Sequence, residues 1–229
     1  MTNMMITVKM PRWQQILGWI LMATHLLILP YIILFGCELL GIELNNYTLN
    51  IATFVAAWIL TLAIFHKFLI QNIKTFGRSA KKTFLAILAG LGVYFVLNTA
   101  VNTGITNLFP DFYNANESSL DSMAQYYYFP LLICTVLLVP VTEEVIYRGV
   151  LFQIVYHKNR ILAYVLTTVI FAAIHIVGYI GYEDPFNLFI AFHQYLPAGI
   201  ALAFAYEMSD SIWAPIIIHS TINLIAMLL

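Results

Sequence analysis

The sequence predicts an all-α fold: a polytopic membrane helix bundle of about seven transmembrane helices, or eight if the fourth is broken. Three observations carry this. The 229 residues are 62% hydrophobic and only 9% charged, with a mean hydropathy of +0.86, a composition foreign to soluble domains. The apolar residues fall in runs of about 20, the length that crosses a hydrocarbon core. Nine of the ten Lys and Arg residues form three clusters, each separated from the next by two apolar runs, and Arg148 alone lies outside them.

In order, the first run is Trp13 to Phe35, with Trp13 and Trp19 at its start. It is too long for a signal-peptide core and has no Ala-x-Ala-like end, so it reads as a retained span. The second run is about Leu49 to Ile70 and the third Thr83 to about Ile105. The fourth begins at Tyr126-Tyr127-Tyr128, an aromatic interface belt, and continues through Pro130 and Pro140 to about Tyr156. That is long for a straight span, so a tilt or a kink near Pro140 is expected. The fifth run is Ile161 to Ile180, the sixth Leu188 to Tyr206, interrupted by Pro197, and the seventh Ile212 to Leu229. Residues 1–125 thus hold the first three helices with their loops. Residues 126–229 hold the helices that carry the polar motifs, and both parts belong to one structural domain.

The basic clusters are Lys9 with Arg12, then Lys67, Lys74, Arg78, Lys81 and Lys82, then Lys158 with Arg160. The alternate loops carry Glu38, Glu43, Asp111, Glu117, Asp121, Glu183 and Asp184 and no Lys or Arg. The positive-inside rule then puts the N-terminus in the cytoplasm. A net charge of −1 points away from a nucleic-acid partner and leaves the lipid bilayer as the surroundings. Cys37 and Cys134 lack metal-ligand spacing and read as small unpaired hydrophobes.

Against this apolar background, Glu143-Glu144-Val145-Ile146-Tyr147-Arg148 stands out. An acidic group at a helix centre costs roughly 2.5–3.5 kcal/mol or more, so an intramembrane carboxylate points to function. Glu144 and Arg148 are one helical turn apart, acid first, the favourable order for a pair on one face. Glu143 is rotated about 100° from Glu144 and has Tyr147, not a cation, at the fourth position onward. A carboxylate without a fixed cation can take up a proton, as general-base chemistry requires. Two further motifs lie in apolar runs: Phe171-x-x-x-His175 in the fifth, and His219-x-x-x-Asn223 in the seventh. Each places its end residues on one helix face. Glu143 lies fifteen residues before Lys158 and His175 fifteen after Arg160, about 22 Å of helix each, so they share a depth. His219 lies nine residues after Asp210, about 13 Å, a mismatch that spacing leaves open. His193 reads as structural or pocket-lining; His25, His66 and His157 read as ordinary packing or loop histidines.

Glu143-Glu144-x-x-x-Arg148, Phe171-x-x-x-His175 and His219-x-x-x-Asn223, in this order on separate apolar runs, resemble the CPBP intramembrane proteases. That family includes the CAAX prenyl endopeptidases of the Rce1 type and Abi-type proteins linked to bacteriocin self-immunity. The resemblance implies an intramembrane endopeptidase acting on a membrane-associated peptide or protein. It implies that Glu143 activates a water with help from His175, that His219 and Asn223 stabilise the oxyanion, and that Glu144 and Arg148 support the site. No cofactor is favoured. The alternative that the family also suggests is a zinc ion held by Glu143, His175 and His219, with an open fourth position. The short chain, with no readable prenyl-binding signature, points to a bacterial cell membrane. Two other functions fit the same residues: a non-catalytic scaffold or immunity protein of this fold, and a proton- or ion-coupled transporter using buried Glu and His. The expected inverted repeats of a transporter are not visible in the sequence.

Overall fold

The computed structural model describes residues 6–228, so Leu229, the last residue of the expected seventh run, lies outside it. Among the described residues there are eight helical segments. They are α1 (Arg12–Thr24), α2 (Leu29–Leu39), α3 (Asn46–Arg78), α4 (Ala80–Leu108), α5 (Ala115–Tyr156), α6 (Arg160–Val177), α7 (Pro185–Ser209) and α8 (Trp213–Leu228). Helices α3 to α7 are long and apolar enough to cross a membrane, and the α1–α2 pair raises the number to six.

The first run is not the straight span that Trp13 to Phe35 suggested. It breaks at residues 25–28 and turns through 75°. Pro30 sits in the first turn of α2, where its missing N–H is tolerated and where it prevents α1 from continuing. His25 closes α1: its Nδ1 lies 2.9 Å from the Leu21 carbonyl and 3.2 Å from that of Met22.

The fourth run is longer than its apolar part. Helix α5 starts at Asn114, whose side chain accepts from the backbone N–H groups of Asn116 and Glu117. Its 42 residues would extend about 63 Å, twice a hydrocarbon core, and the backbone is kinked at Tyr127, inside the aromatic belt. Around Pro140 the helix does not break. It widens into π-helical turns over Cys134–Leu138 and Val145–Phe152. Such turns absorb the clash and lost hydrogen bond of an interior proline. In α7, by contrast, the helix runs through Pro197 without interruption.

Helix α7 is the centre of the bundle and packs against α4, α6 and α8. Its inward face is a series of small residues, Ala198, Gly199, Ala201, Ala203 and Ala205, which lets neighbouring backbones approach closely. A Cβ on Gly199 would sit 2.9 Å from the Thr168 Cα of α6. At the basic end of the bundle, Glu207 of α7 accepts from Arg160 Nε at 2.6 Å and Nη2 at 2.9 Å, and from the hydroxyls of Tyr156 and Tyr164.

The α7–α8 turn is recessed. Ser209, Ser211 and Ile212 are fully buried. Asp210, at φ 60°, accepts from the Thr7 N–H at 2.7 Å, and the Ile212 N–H donates to Asn72 Oδ1 of α3 at 3.0 Å. Helix α8 therefore starts below the end of the bundle. This explains its length of 16 residues, about 24 Å. It also explains how nine residues carry His219 to a depth that fifteen residues reach elsewhere.

Candidate active site

The two carboxylates of α5 face different surroundings. Glu144 and Arg148 are both fully buried, with Arg148 Nη1 2.9 Å from Glu144 Oε1. The second Arg148 amine donates to the Gly199 carbonyl of α7 at 3.2 Å. The guanidinium lies 4.6 Å from the Phe171 ring centroid on α6, a cation–π contact. The spacing argument anticipated the pair but not its third member: His219 Nδ1 of α8 lies 2.9 Å from the same Glu144 Oε1. A carboxylate that takes a bond from Arg148 is an acceptor, so His219 carries a proton on Nδ1, and in its neutral form presents Nε2 as a lone pair. That nitrogen stands 4.0 Å from Glu143 Oε2, and Glu143 Oε2 is buried with no hydrogen-bond partner in the protein.

Phe171 is the hub of the remaining residues. Its ring is 4.8 Å from that of His175 and 5.6 Å from that of His219, centroid to centroid, so both histidines flank one aromatic ring. His175 Nδ1 is 2.8 Å from the Phe171 carbonyl, one turn back in α6. The carbonyl can only accept, so His175 too presents Nε2 as a lone pair. Its ring stacks on Tyr195 of α7 at 4.2 Å and 23°. Tyr195 is tied by its hydroxyl to Asn114 and Asn116 at the start of α5. Asn223 donates one Nδ2 hydrogen to the Thr135 carbonyl at 2.8 Å, in the first π-helical turn of α5. His193 bonds the Phe189 carbonyl one turn back in α7 and packs on Phe189 and Phe192.

Helices α5, α6 and α8 thus bring Glu143, Glu144, Arg148, Phe171, His175 and His219 into one cluster, with Asn223 one turn along α8 from His219. Residue patterns alone did not single out Phe171, Tyr195, the Gly199 carbonyl or the Thr135 carbonyl. Phe171 stood in its motif without a role. Two of the others contribute only backbone oxygen, which leaves no mark on a sequence.

Compared with known families, residues 125–225 match the family model described as type II CAAX prenyl endopeptidase Rce1-like. Over this segment the chain is similar to the Rce1-like family. The Rce1-like segment covers nearly all of α5 to α8 and leaves α1 to α4 outside it. Every residue of the three motifs lies within it. No curated protein and no solved structure matches the chain. The Rce1-like family is one of membrane endopeptidases, and the apolar helices place the chain in a membrane accordingly.

A zinc ion on Glu143, His175 and His219 would require the three side chains to converge on one point. Among the described residues no three His, Cys, Asp or Glu side chains are placed to share an ion. Only Glu143 and His219 approach each other, at 4.0 Å. No step is derived through a metal.

Proposed function

We propose that the protein is an intramembrane endopeptidase that hydrolyses peptide bonds of membrane-associated peptides or proteins, with Glu143 as the base that activates water. The observation that carries this is the contrast between adjacent carboxylates. Glu144 is neutralised by Arg148 and spent on His219, whereas Glu143 Oε2 is buried, unbonded within the protein, and 4.0 Å from an imidazole lone pair. A water can bond both at ordinary hydrogen-bond lengths of about 2.8 Å.

In this reading the water gives one proton to Glu143 as its oxygen attacks the scissile carbonyl carbon. The C=O electron pair moves to the oxygen. On collapse the C–N bond breaks, and the proton on Glu143 passes to the leaving nitrogen. His219 takes the water's second hydrogen bond at Nε2 and becomes a donor to the oxyanion only once protonated. His175, stacked on Tyr195 and packed on Phe171, assists by holding the Phe171 ring against His219. Asn223 keeps a second Nδ2 hydrogen for the oxyanion. Membrane-associated peptides in a bacterial cell membrane are the proposed substrates, with the N-terminus and the basic end of the bundle cytoplasmic.

Incubating the purified protein and its Glu143→Gln variant with a library of membrane-associated peptides tests the proposal. Cleavage by the parent alone is expected, and it is expected to survive exhaustive chelation with no metal found by elemental analysis. Cleavage that survives Glu143→Gln would refute the role of Glu143. A parent that cuts nothing, while Glu143→Gln still abolishes a cellular phenotype, would favour the immunity or transport alternatives. Activity lost to chelation and restored by zinc would replace the water mechanism with a metal one.

A further inference from the structure

Glu143 has neighbours besides His219. A small cavity of about 30 Å³ is lined by His25 and Leu26 at the break after α1, Phe54 and Ala57 of α3, and Val139, Thr142 and Glu143 of α5. The volume suits one water, which needs at least about 10–15 Å³ and two to four polar partners. Three polar side chains border it. His25 is 4% exposed, and its Nδ1 faces the Leu21 and Met22 carbonyls. Those oxygens only accept, so the proton is on Nδ1 and Nε2 is a lone pair. That Nε2 is buried and has no protein partner. The Thr142 hydroxyl is likewise buried and unpartnered. This sets Thr142 apart from Thr24, Thr53, Thr61, Thr135, Thr167 and Thr221, each of which bonds the carbonyl four residues back in its helix. Glu143 supplies the third group.

We infer that this cavity is a single-water site and that His25 is a positioning residue for Glu143, acting through that water. The water donates one hydrogen to His25 Nε2 and the other to the Glu143 carboxylate, and accepts from the Thr142 hydroxyl. The His25 and Thr142 groups are then satisfied, and the Glu143 carboxylate gains a second hydrogen bond beside that of the reacting water. The 75° break between α1 and α2 acquires a reason, because it sets His25 at this wall. His25 lies outside the Rce1-like segment, so the first helix pair completes the site of the last four helices.

The inference rests on Glu143 being the general base, and its test reads Glu143 directly. Difference infrared spectroscopy of the full chain in bilayer discs identifies the Glu143 carboxylate band as the one lost in Glu143→Gln. That band is expected to move in His25→Leu and in Thr142→Val, to stay in place in His25→Gln, which keeps a donor and an acceptor, and to stay in place in the exposed-site control His66→Leu. Peptide cleavage should lose about tenfold in kcat with KM kept in His25→Leu, the scale of one hydrogen bond to a charged group, and recover in His25→Gln. Thr142→Val leaves the end of α1 intact, so it reports on the water independently of the α1 cap that His25→Leu removes. A band unmoved in Thr142→Val overturns the water site, whatever His25→Leu does. A band that moves as expected, in a parent that cleaves no peptide, leaves the water site standing and removes the protease reading instead.

Discussion

Replacing Arg148 by Met, alone and together with Glu144→Leu, separates what the buried pair does for stability from what it does for the site. In the single variant Glu144 remains a fully buried carboxylate whose cation is gone, and breaking such a pair costs about 3–5 kcal/mol. The variant also loses the bond to the Gly199 carbonyl, about 1 kcal/mol net, and the contact over Phe171, about 1 kcal/mol. The double variant loses those last two terms but leaves no orphaned charge, and exchanging a buried pair for apolar residues of similar volume is close to neutral. The double should therefore be more stable than the single by about 3–5 kcal/mol, or roughly 6–20 °C in Tm for a chain of this size. Cleavage should follow a different order. Without Glu144 nothing fixes the proton on His219 Nδ1, so the double variant should lose at least about tenfold in kcat, the scale of a lost orienting partner, although it is the better folded of the two. Thermal unfolding followed by tryptophan fluorescence, beside peptide cleavage, checks both halves. A double variant that melts at or below the single would refute the coupled-charge account. One that cleaves like the parent would refute the orienting role of Glu144.

Gly199→Ala forces a Cβ to 2.9 Å from the Thr168 backbone, where no rotamer change gives relief; a loss of about 1–3 kcal/mol is expected, read as a lower melting temperature. Glu207→Gln removes the charged acceptor of two tyrosine hydroxyls and Arg160. Arg160 is 63% exposed and contributes little, so about 2 kcal/mol is expected from the rest, with kcat of the folded enzyme unchanged. Tyr195→Leu removes the ring stacked on His175 and should lower kcat about tenfold for about 1 kcal/mol of stability, whereas Tyr195→Phe keeps the stack and should behave near the parent. Asn223→Ala should cost about 0.6–1.7 kcal/mol as a helix-to-helix bond; a kcat loss well beyond the stability loss would assign it to the oxyanion.

The sequence was most legible where one-dimensional period and length decide the outcome. Runs of about 20 apolar residues became helices, and Glu144 with Arg148, one turn apart, became a pair, because helical rise and pitch are fixed by the backbone. It was least legible where two helices set each other's height. Spacing alone leaves the nine-residue offset of His219 open, because it does not say whether Asp210 is level with Arg160. Only the contacts of Thr7 and Asn72 with the turn show it to be recessed. The first span failed for a related reason. Pro30 sits inside an apolar run whose length satisfied the rule for a crossing, and length alone does not register a 75° break. His25, read as a packing histidine, lines the cavity behind Glu143 because of that break.

Adjacent acids in an apolar helix look like a doubled cost, yet the geometry divides it. The roughly 100° between successive residues sends Glu144 toward α7 and α8, where Arg148, the Gly199 carbonyl and His219 form a closed charge network. It sends Glu143 to the other side, between His219 Nε2 and the cavity beside α1 and α3. Arg148 compensates one negative charge, not two. A second cation near Glu143 would stabilise the bundle but would fix the carboxylate in its charged form and remove it as a proton acceptor. Glu144 is then more than support. It is the link by which the single buried cation neutralises one carboxylate and, through the proton on His219 Nδ1, turns the lone pair of Nε2 toward the other.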